Sequence, residues 1–304
     1  MFPVLHFDVA NAEALEPLGK KRKYWFTDAQ NRQVLFKVEE RGTGEDWAEV
    51  ITANLCSLLG LPHVAYTLAQ AKIGTTVWPG VVCANMAPPP SSLVLGNELL
   101  FKRDPAYPDK QRYKVQQHSV GAVCDVLATL GAPAPEWMPI APAYVHSALD
   151  VFIGYLMLDT WVANQDRHHE NWGSITQDFS RLAPTFDHAA GLARNVADDE
   201  REDRLNTTNP QRSISTFAGR ARSMIYGDPS DSRPLSTLEA FSRFADRSSS
   251  AAKSWLNKLS DIDSTAILGI LNEIPPTRMT DLARKFTHEL LLVNQQRLNE
   301  LQFS

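Results

Sequence analysis

The chain has 304 residues, 43% of them apolar and 21% charged, with 15 glycines and 19 prolines; this fits one two-lobed unit or two domains with a sizeable core and excludes collagen, coiled coil and wholesale disorder. A formal net charge of −5 gives no general attraction to phosphate backbones or anionic lipid, so neither nucleic acid nor membrane is expected as a partner. The three cysteines, Cys56, Cys83 and Cys124, are odd in number and sit in apolar stretches, which suits reduced thiols in a reducing cytoplasm rather than a disulfide framework.

The first residues lack the basic start and apolar run of a secretory leader. Lys23–Phe26 and Val34–Val38 are short aromatic and branched runs on either side of the polar residues Asp28 to Asn31, which predicts a hairpin. Ahead of it, Gly19 followed by Lys20, Lys21, Arg22 and Lys23 admits two readings, a backbone-and-charge cradle for phosphate or a solvated turn. Thr43 and Asp46 then have capping-box spacing, Trp47, Val50, Ile51, Leu55, Leu58 and Leu59 continue an apolar stripe, and Gly60 with Pro62 closes the predicted helix. Lys37 ends the second strand and Glu49 lies inside that helix. A lysine there can bind phosphate oxygens as a point charge, and a helix glutamate can hold it in place. On a helical wheel Glu49 falls opposite the Trp47/Ile51/Leu58 stripe and beside Ala53 and Cys56, which leaves it either solvated or turned towards a cleft.

Further strands are predicted around residues 64–69 and 77–83, before Pro88-Pro-Pro-Ser-Ser marks a break. Helical spacing then dominates, over 115–130, 144–161, 238–245, 253–259 and 279–301. The most apolar stretch, 148–162, is broken by Asp150 and Asp159 and is too short to span hydrocarbon. Trp172–Thr176 and Leu182–Phe186 predict a small hairpin inserted among the helices. The expected architecture is α+β and two-lobed, with a small β-rich lobe carrying one helix (1–87) and a larger, mainly helical lobe (88–304).

The stretch Asn164-Gln-Asp-Arg-His-His-Glu-Asn171, followed by the hairpin and Asp187-His188, is the richest in chemistry. Phosphoryl transfer needs a carboxylate near the attacking hydroxyl and oxygen ligands that hold magnesium against the phosphates. Asp166 and Asn171 in one loop can supply the carboxylate and one ligand, and the hairpin returns Asp187 as a second. Taken singly, each of these residues also fits a surface loop with local salt bridges. A zinc reading of His168, His169, Glu170 and His188 is disfavoured, because adjacent ligands project in different directions. The Arg-rich stretch from Arg194 to Arg222 is interrupted by Asp198, Asp199, Glu200, Glu202 and Asp203, which argues against a membrane-facing basic segment.

VLFK at 34–37, GEDWAE at 44–49, GNELL at 96–100, NQDRHHENWG at 164–173 and LAPTFDHAAGL at 182–192 together make the chain similar to the HipA-type serine/threonine kinases, a bacterial family with a protein-kinase-like fold. The resemblance implies an ATP- and magnesium-dependent kinase acting on serine or threonine of a protein. Lys37 would contact the α- and β-phosphates and pair with Glu49, Asp166 would be the catalytic carboxylate, and Asn171 and Asp187 would bind magnesium. Adenine would sit near a hinge from Cys83 to Met86, and Gly19 and Lys23 would belong to the phosphate-covering loop. Arg167 and His168 would brace the catalytic loop. Some members are toxins of toxin–antitoxin pairs that phosphorylate aminoacyl-tRNA synthetases, so a translation factor or synthetase as substrate and a small antitoxin as partner come with the resemblance. Only 36 residues precede Lys37, which looks like the compact form of the family, whose extra subdomain is absent or supplied by a separate small protein. Asp187 is followed by His188-Ala189, with no glycine before Gly191, so switching like that of eukaryotic kinases is not implied. Two other readings remain open: a phosphoinositide kinase, because DRHxxN is shared with that group, and a non-catalytic nucleotide-binding protein of the same fold.

Overall fold

The computed structural model describes residues 1–16 and 21–303. Six strands form the sheet of the small lobe: β1 (Leu5–Asp8), β2 (Ala14–Leu15), β3 (Lys23–Thr27), β4 (Gln33–Val38), β5 (Thr67–Ile73) and β6 (Thr76–Ala84). Their order is β1-β5-β6-β4-β3-β2, antiparallel except for the β1–β5 pair. The expected hairpin is β3–β4, in register Trp25 to Leu35 and Lys23 to Lys37. Because side chains alternate along a strand, Val34, Phe36 and Val38 pack with Phe26, Ala69 and Val82 on one face, and Leu35 and Lys37 take the other.

The small-lobe helix α1 (Glu45–Leu59) starts differently from the capping box expected at Thr43 and Asp46. Its N-cap is Gly44, at φ +84°, where a Cβ would overlap the Trp47 indole. Two carboxylates meet orphan N–H groups of the first turn: Asp46, within the helix, accepts that of Trp47 at 2.8 Å, and Glu39, from outside it, accepts that of Glu45. Glu39, 4% exposed, accepts from the N–H of Glu45 at 2.5 Å and of Arg41 at 2.9 Å. Gly60 closes the helix at φ +70°, as its sequence position suggests. The apolar stripe is also corrected. Leu58 is 43% exposed, whereas Glu49, Ala53 and Cys56 are buried, because α1 is enclosed between the sheet and the helices of the large lobe.

After the proline break, β7 (Ser92–Leu95) pairs with β8 (Gly173–Thr176), which pairs with β9 (Ser180–Leu182), so the predicted hairpin gains a third strand from far upstream, and its second strand lies earlier than the expected Leu182–Phe186, sharing only Leu182 with it. The helices are α2 (Gly96–Arg103), α3 (Val120–Leu127), α4 (Ala148–Trp161), α5 (Asp198–Asn206), α6 (Ile214–Gly219), α7 (Thr237–Ala245), α8 (Ser249–Ser260), α9 (Ser264–Asn272) and α10 (Asp281–Asn299). The central α4 is apolar on nearly every face and starts in a reciprocal box between Ser147 and Asp150. Trp47, Ile51 and Leu55 of α1 share one buried cluster with Phe152 and Trp161 of α4 and Trp255 of α8, so the lobes are joined through a common core. The charged α5 pairs its own arginines, Arg201 with Asp198 and Arg204 with Glu200, each at 2.7 Å. Among the described residues no helix is long and apolar enough to cross a membrane.

Candidate active site

The site lies where the sheet and α1 of the small lobe meet the loop after α4 and the segment after β9. That loop is built on a buried ion pair. Arg167 donates through Nε and Nη2 to the two carboxylate oxygens of Asp159 on α4, at 2.7 and 2.8 Å, with both side chains almost fully buried. Its remaining donors reach the Asn171 carbonyl at 2.7 Å and the Thr185 hydroxyl at 3.1 Å. Asn164 adds a bond to Asp159 at 2.8 Å. One guanidinium therefore ties the end of α4, the loop and the segment between β9 and Asp187 together. The α2 N-terminus closes the loop from another side, with the N–H of Gly96 on the Trp172 carbonyl and that of Asn97 on the His169 carbonyl, at 2.8 and 3.0 Å. A Cβ at position 96 would overlap Trp172, which is why GNELL begins with glycine.

Lys21, Lys23, Lys37, Arg41, Arg112, Arg194, Asp166 and Asp187 are among the residues that line one cavity of about 120 Å³. Lys37 Nζ lies 3.3 Å from Glu49, 3.0 Å from the Tyr66 hydroxyl and 3.5 Å from Asp187. The back of this trio is closed by the His188 N–H, which donates to Glu49 at 2.8 Å, and by the Asp187 N–H, which donates to Tyr66 at 3.3 Å. The solvated reading of Glu49 is thus excluded: it is 1% exposed and faces the cleft.

Burial alone would strip Lys37 of its proton, but Asp187, Tyr66 and Glu49 overturn that and raise its pKa well above the usual value. Burial likewise opposes charge on Asp187, and Lys37, Lys23 and Lys21 hold it well below the usual carboxylate range. Glu49, deeper still and beside Asp187, is pushed up by burial against the pull of Lys37, and is the member of the trio whose charge is least favoured. Burial and the Asp187 charge push the Asp166 carboxyl up to about 6. Lys23 and Lys37 face each other across the β3–β4 pair, a like-charge arrangement that Asp187 relieves and an anion would relieve further.

Asn171 is 3% exposed and its NH2 donates to the Asp166 carbonyl at 2.7 Å, which turns its amide oxygen away from that carbonyl. His168 accepts from Arg112 at 2.7 and 2.9 Å, and burial together with that cation pushes its pKa down to about 3. It braces the loop as a neutral ring. Cys83 lines neither this cavity nor a second one beside the proline break; its thiol faces the Leu35 carbonyl within the sheet. Met86 does line that second cavity, of about 510 Å³, with Asn85, Ile175 and Leu182. Gly19 lies outside the described residues.

Four contributors were not picked out as site residues from the sequence: Tyr66, Asp159, Arg112 and Arg194. Asp159 left a trace, as a charge inside an otherwise apolar helix; the other three left none.

No protein-family model matches the sequence, and no curated protein matches it. Solved structures do match its fold. The proinflammatory kinase CtkA of Helicobacter pylori superposes with a TM-score of 0.70 at 18% identity, covering 99% of this chain and 100% of that one. HipA of the Shewanella oneidensis toxin–antitoxin system, solved with HipB and its operator DNA, superposes with a TM-score of 0.54 at 11% identity, covering 95% of this chain and 68% of that one. The two-lobed, kinase-like α+β fold expected from the sequence is the fold of this chain, and its likeness to HipA extends along nearly the whole length.

Proposed function

We propose that the chain is an ATP- and magnesium-dependent kinase that transfers the γ-phosphoryl group to a serine or threonine hydroxyl of a protein. The observation that carries this reading is the closed trio of Lys37, Glu49 and Asp187, two of whose members, Lys37 and Asp187, line one cavity with Asp166. In it Lys37 presents a fixed charge to the nucleotide phosphates, with Lys23 and Lys21 beside it. Asp166 accepts the proton of the attacking hydroxyl, and Arg167 holds its loop in place. The base would enter at the cavity beside Met86, where backbone groups near the end of β6 are available to its edge.

The residues present fit magnesium: Asp187 is held ionised, and Asn171 has its amide oxygen turned from the Asp166 carbonyl, giving the oxygen donors this ion prefers. When bound, the ion neutralises charge on the β- and γ-phosphates. A protein hydroxyl as acceptor follows the resemblance to HipA-type kinases.

The test is incubation of the pure protein with γ-labelled ATP and magnesium, alone and with cell lysate, followed by mass spectrometry of labelled bands. Label on serine or threonine that is lost with Asp166→Ala supports the reading. Tight nucleotide binding without transfer to any protein overturns it in favour of a nucleotide-binding scaffold.

A further inference from the structure

The first turn of α1 is held from behind by the large lobe. Arg278, in the turn between α9 and α10, donates to Asp46 Oδ2 at 2.6 Å and to the Ala69 carbonyl of β5 at 2.9 Å. Both side chains are largely buried, at 10% and 4% exposure. The other carboxylate oxygen of Asp46 accepts the N–H of Trp47 at 2.8 Å, one of the first-turn donors that lack a partner within the helix. A single guanidinium thus joins the start of α1, the sheet and the C-terminal helices. Asp46 precedes Glu49 by about one helical turn, so whatever fixes the first fixes the depth of the second.

Neither Asp46 nor Arg278 lines the cavity shared by Lys37, Asp166 and Asp187. Asp46 lines only a void of about 10 Å³ beside Lys37 and Glu49. Burying two charges is expensive unless their geometry is good, and a well-packed apolar pair often fills such a place equally well. What this pair has and an apolar pair lacks is a set of directional bonds that joins the first turn of α1 to the sheet and to the large lobe at defined distances. The Lys37–Glu49 contact of 3.3 Å tolerates little movement of α1, because a small shift of a positioning group costs a large factor in rate.

We infer that Arg278 is a positioning residue: by clamping Asp46 it seats α1 so that Glu49 meets Lys37. A second contact acts in the same sense, since Arg194 of the segment after Asp187 reaches Glu45 at 2.9 Å and also bonds the Thr43 hydroxyl.

Single removal of Arg278 would strand the Asp46 carboxylate, so the informative variant is Asp46→Asn with Arg278→Met, supported by Arg278→Lys, which keeps the charge at Asp46. Hydrogen exchange of residues 45–59, against residues 148–161 of α4, reads the seating without reference to activity. The double variant should exchange about tenfold faster in α1 with α4 unchanged, and Arg278→Lys should fall between it and the parent. Turnover should drop about tenfold in the double variant, with no further drop when both changes are placed in a Glu49→Gln background. Unchanged exchange in α1, an equal rise in α1 and α4, or a loss that multiplies with that of Glu49→Gln would each overturn the inference. The activity arm rests on the kinase reading. A parent protein that transfers no phosphate would sink that reading alone, and the exchange arm would still decide the role of Arg278.

Discussion

At the scale of single residues the site is a set of charges whose states are fixed by their neighbours. In the proposed reaction Asp166 takes the proton of the hydroxyl and makes little contact with the nucleotide, so Asp166→Ala should lower phosphoryl transfer by about 10³-fold while nucleotide affinity stays within about threefold. Undiminished turnover in that variant would remove Asp166 from the chemistry. Asp187 differs, because its carboxylate is kept ionised by three lysines and is the stronger of the two oxygen donors assigned to magnesium. Asp187→Ala should therefore weaken binding of magnesium–ATP by about tenfold or more, and the loss should shrink when nucleotide is titrated without magnesium. Calorimetry with and without the metal checks both halves. The pairing of Lys37 with Glu49 was ambiguous in the sequence for a definable reason. A wheel distinguishes a polar face from an apolar one, but α1 is enclosed on most sides, so the face carrying Glu49 borders a charged cleft rather than water.

At the scale of elements, α1 is where local sequence signals and the finished structure differ most. Thr43 and Asp46 have the spacing of a reciprocal cap, yet Asp46 faces Arg278, the Thr43 hydroxyl is engaged by Arg194, and the capping task passes to Glu39. Propensity rules see residues within a few positions of one another, and here a distant arginine offered the carboxylate a better partner. The chain turns into the helix through Gly44, whose left-handed backbone leaves room for the Trp47 ring. Gly44→Ala should cost about 2 kcal/mol or more, combining the left-handed strain of a Cβ with displacement of a buried indole. Urea unfolding would show it, and a change below about 0.5 kcal/mol would mean that the loop re-forms around the methyl group. By contrast the hairpin β3–β4 and the stop at Gly60 needed only neighbouring residues, and both lie where the pattern put them.

At the scale of the whole molecule, four buried histidines, His168 and His169 in the loop after α4 and His118 and His188 near it, couple stability to pH. Burial is the first cause for each. It takes His118 down to about 3, and with Arg112 takes His168 to about 3 and His169 to about 4; His188 is held well below its usual value. His118 is locked as a neutral ring, accepting from the Trp172 indole at 3.1 Å and donating to the Met224 carbonyl at 3.0 Å. Depressed histidine values contribute stability that is complete above the unfolded value near 6.5 and is lost as pH falls towards the folded ones. Glu49 and Asp166, pushed up to about 7 and about 6, act in the opposite sense and take up protons in the folded state first. Four protons gained on unfolding against two released leave about two, so stability should fall by about 2–3 kcal/mol per pH unit between pH 6 and 5. Denaturant unfolding across that window measures the slope, and His118→Gln should lower it by about one proton. A flat profile would mean that these rings are already charged in the folded protein.

The sequence by itself determined what depends on neighbours along the chain. Alternation in Val34–Val38 turned Lys37 to the cleft face, the periodic apolar run made α1 a helix, and the order Asp166, Asn171, hairpin, Asp187 put three oxygen-bearing side chains on one short return of the chain. It also sufficed for the two-lobed α+β architecture, because strand-like segments with a single helix come before the proline break and mainly helical segments come after it. Only the tertiary structure decided which distant groups meet. The seat of Arg167 on Asp159, the hydroxyl of Tyr66 between Lys37 and Asp187, the third strand β7 and the clamp of Arg278 on Asp46 join residues whose separation leaves no periodic trace. The physical reason is that periodicity records how a segment faces water. These partners are chosen inside the core, where charge pairing and close packing take over from exposure as the deciding forces.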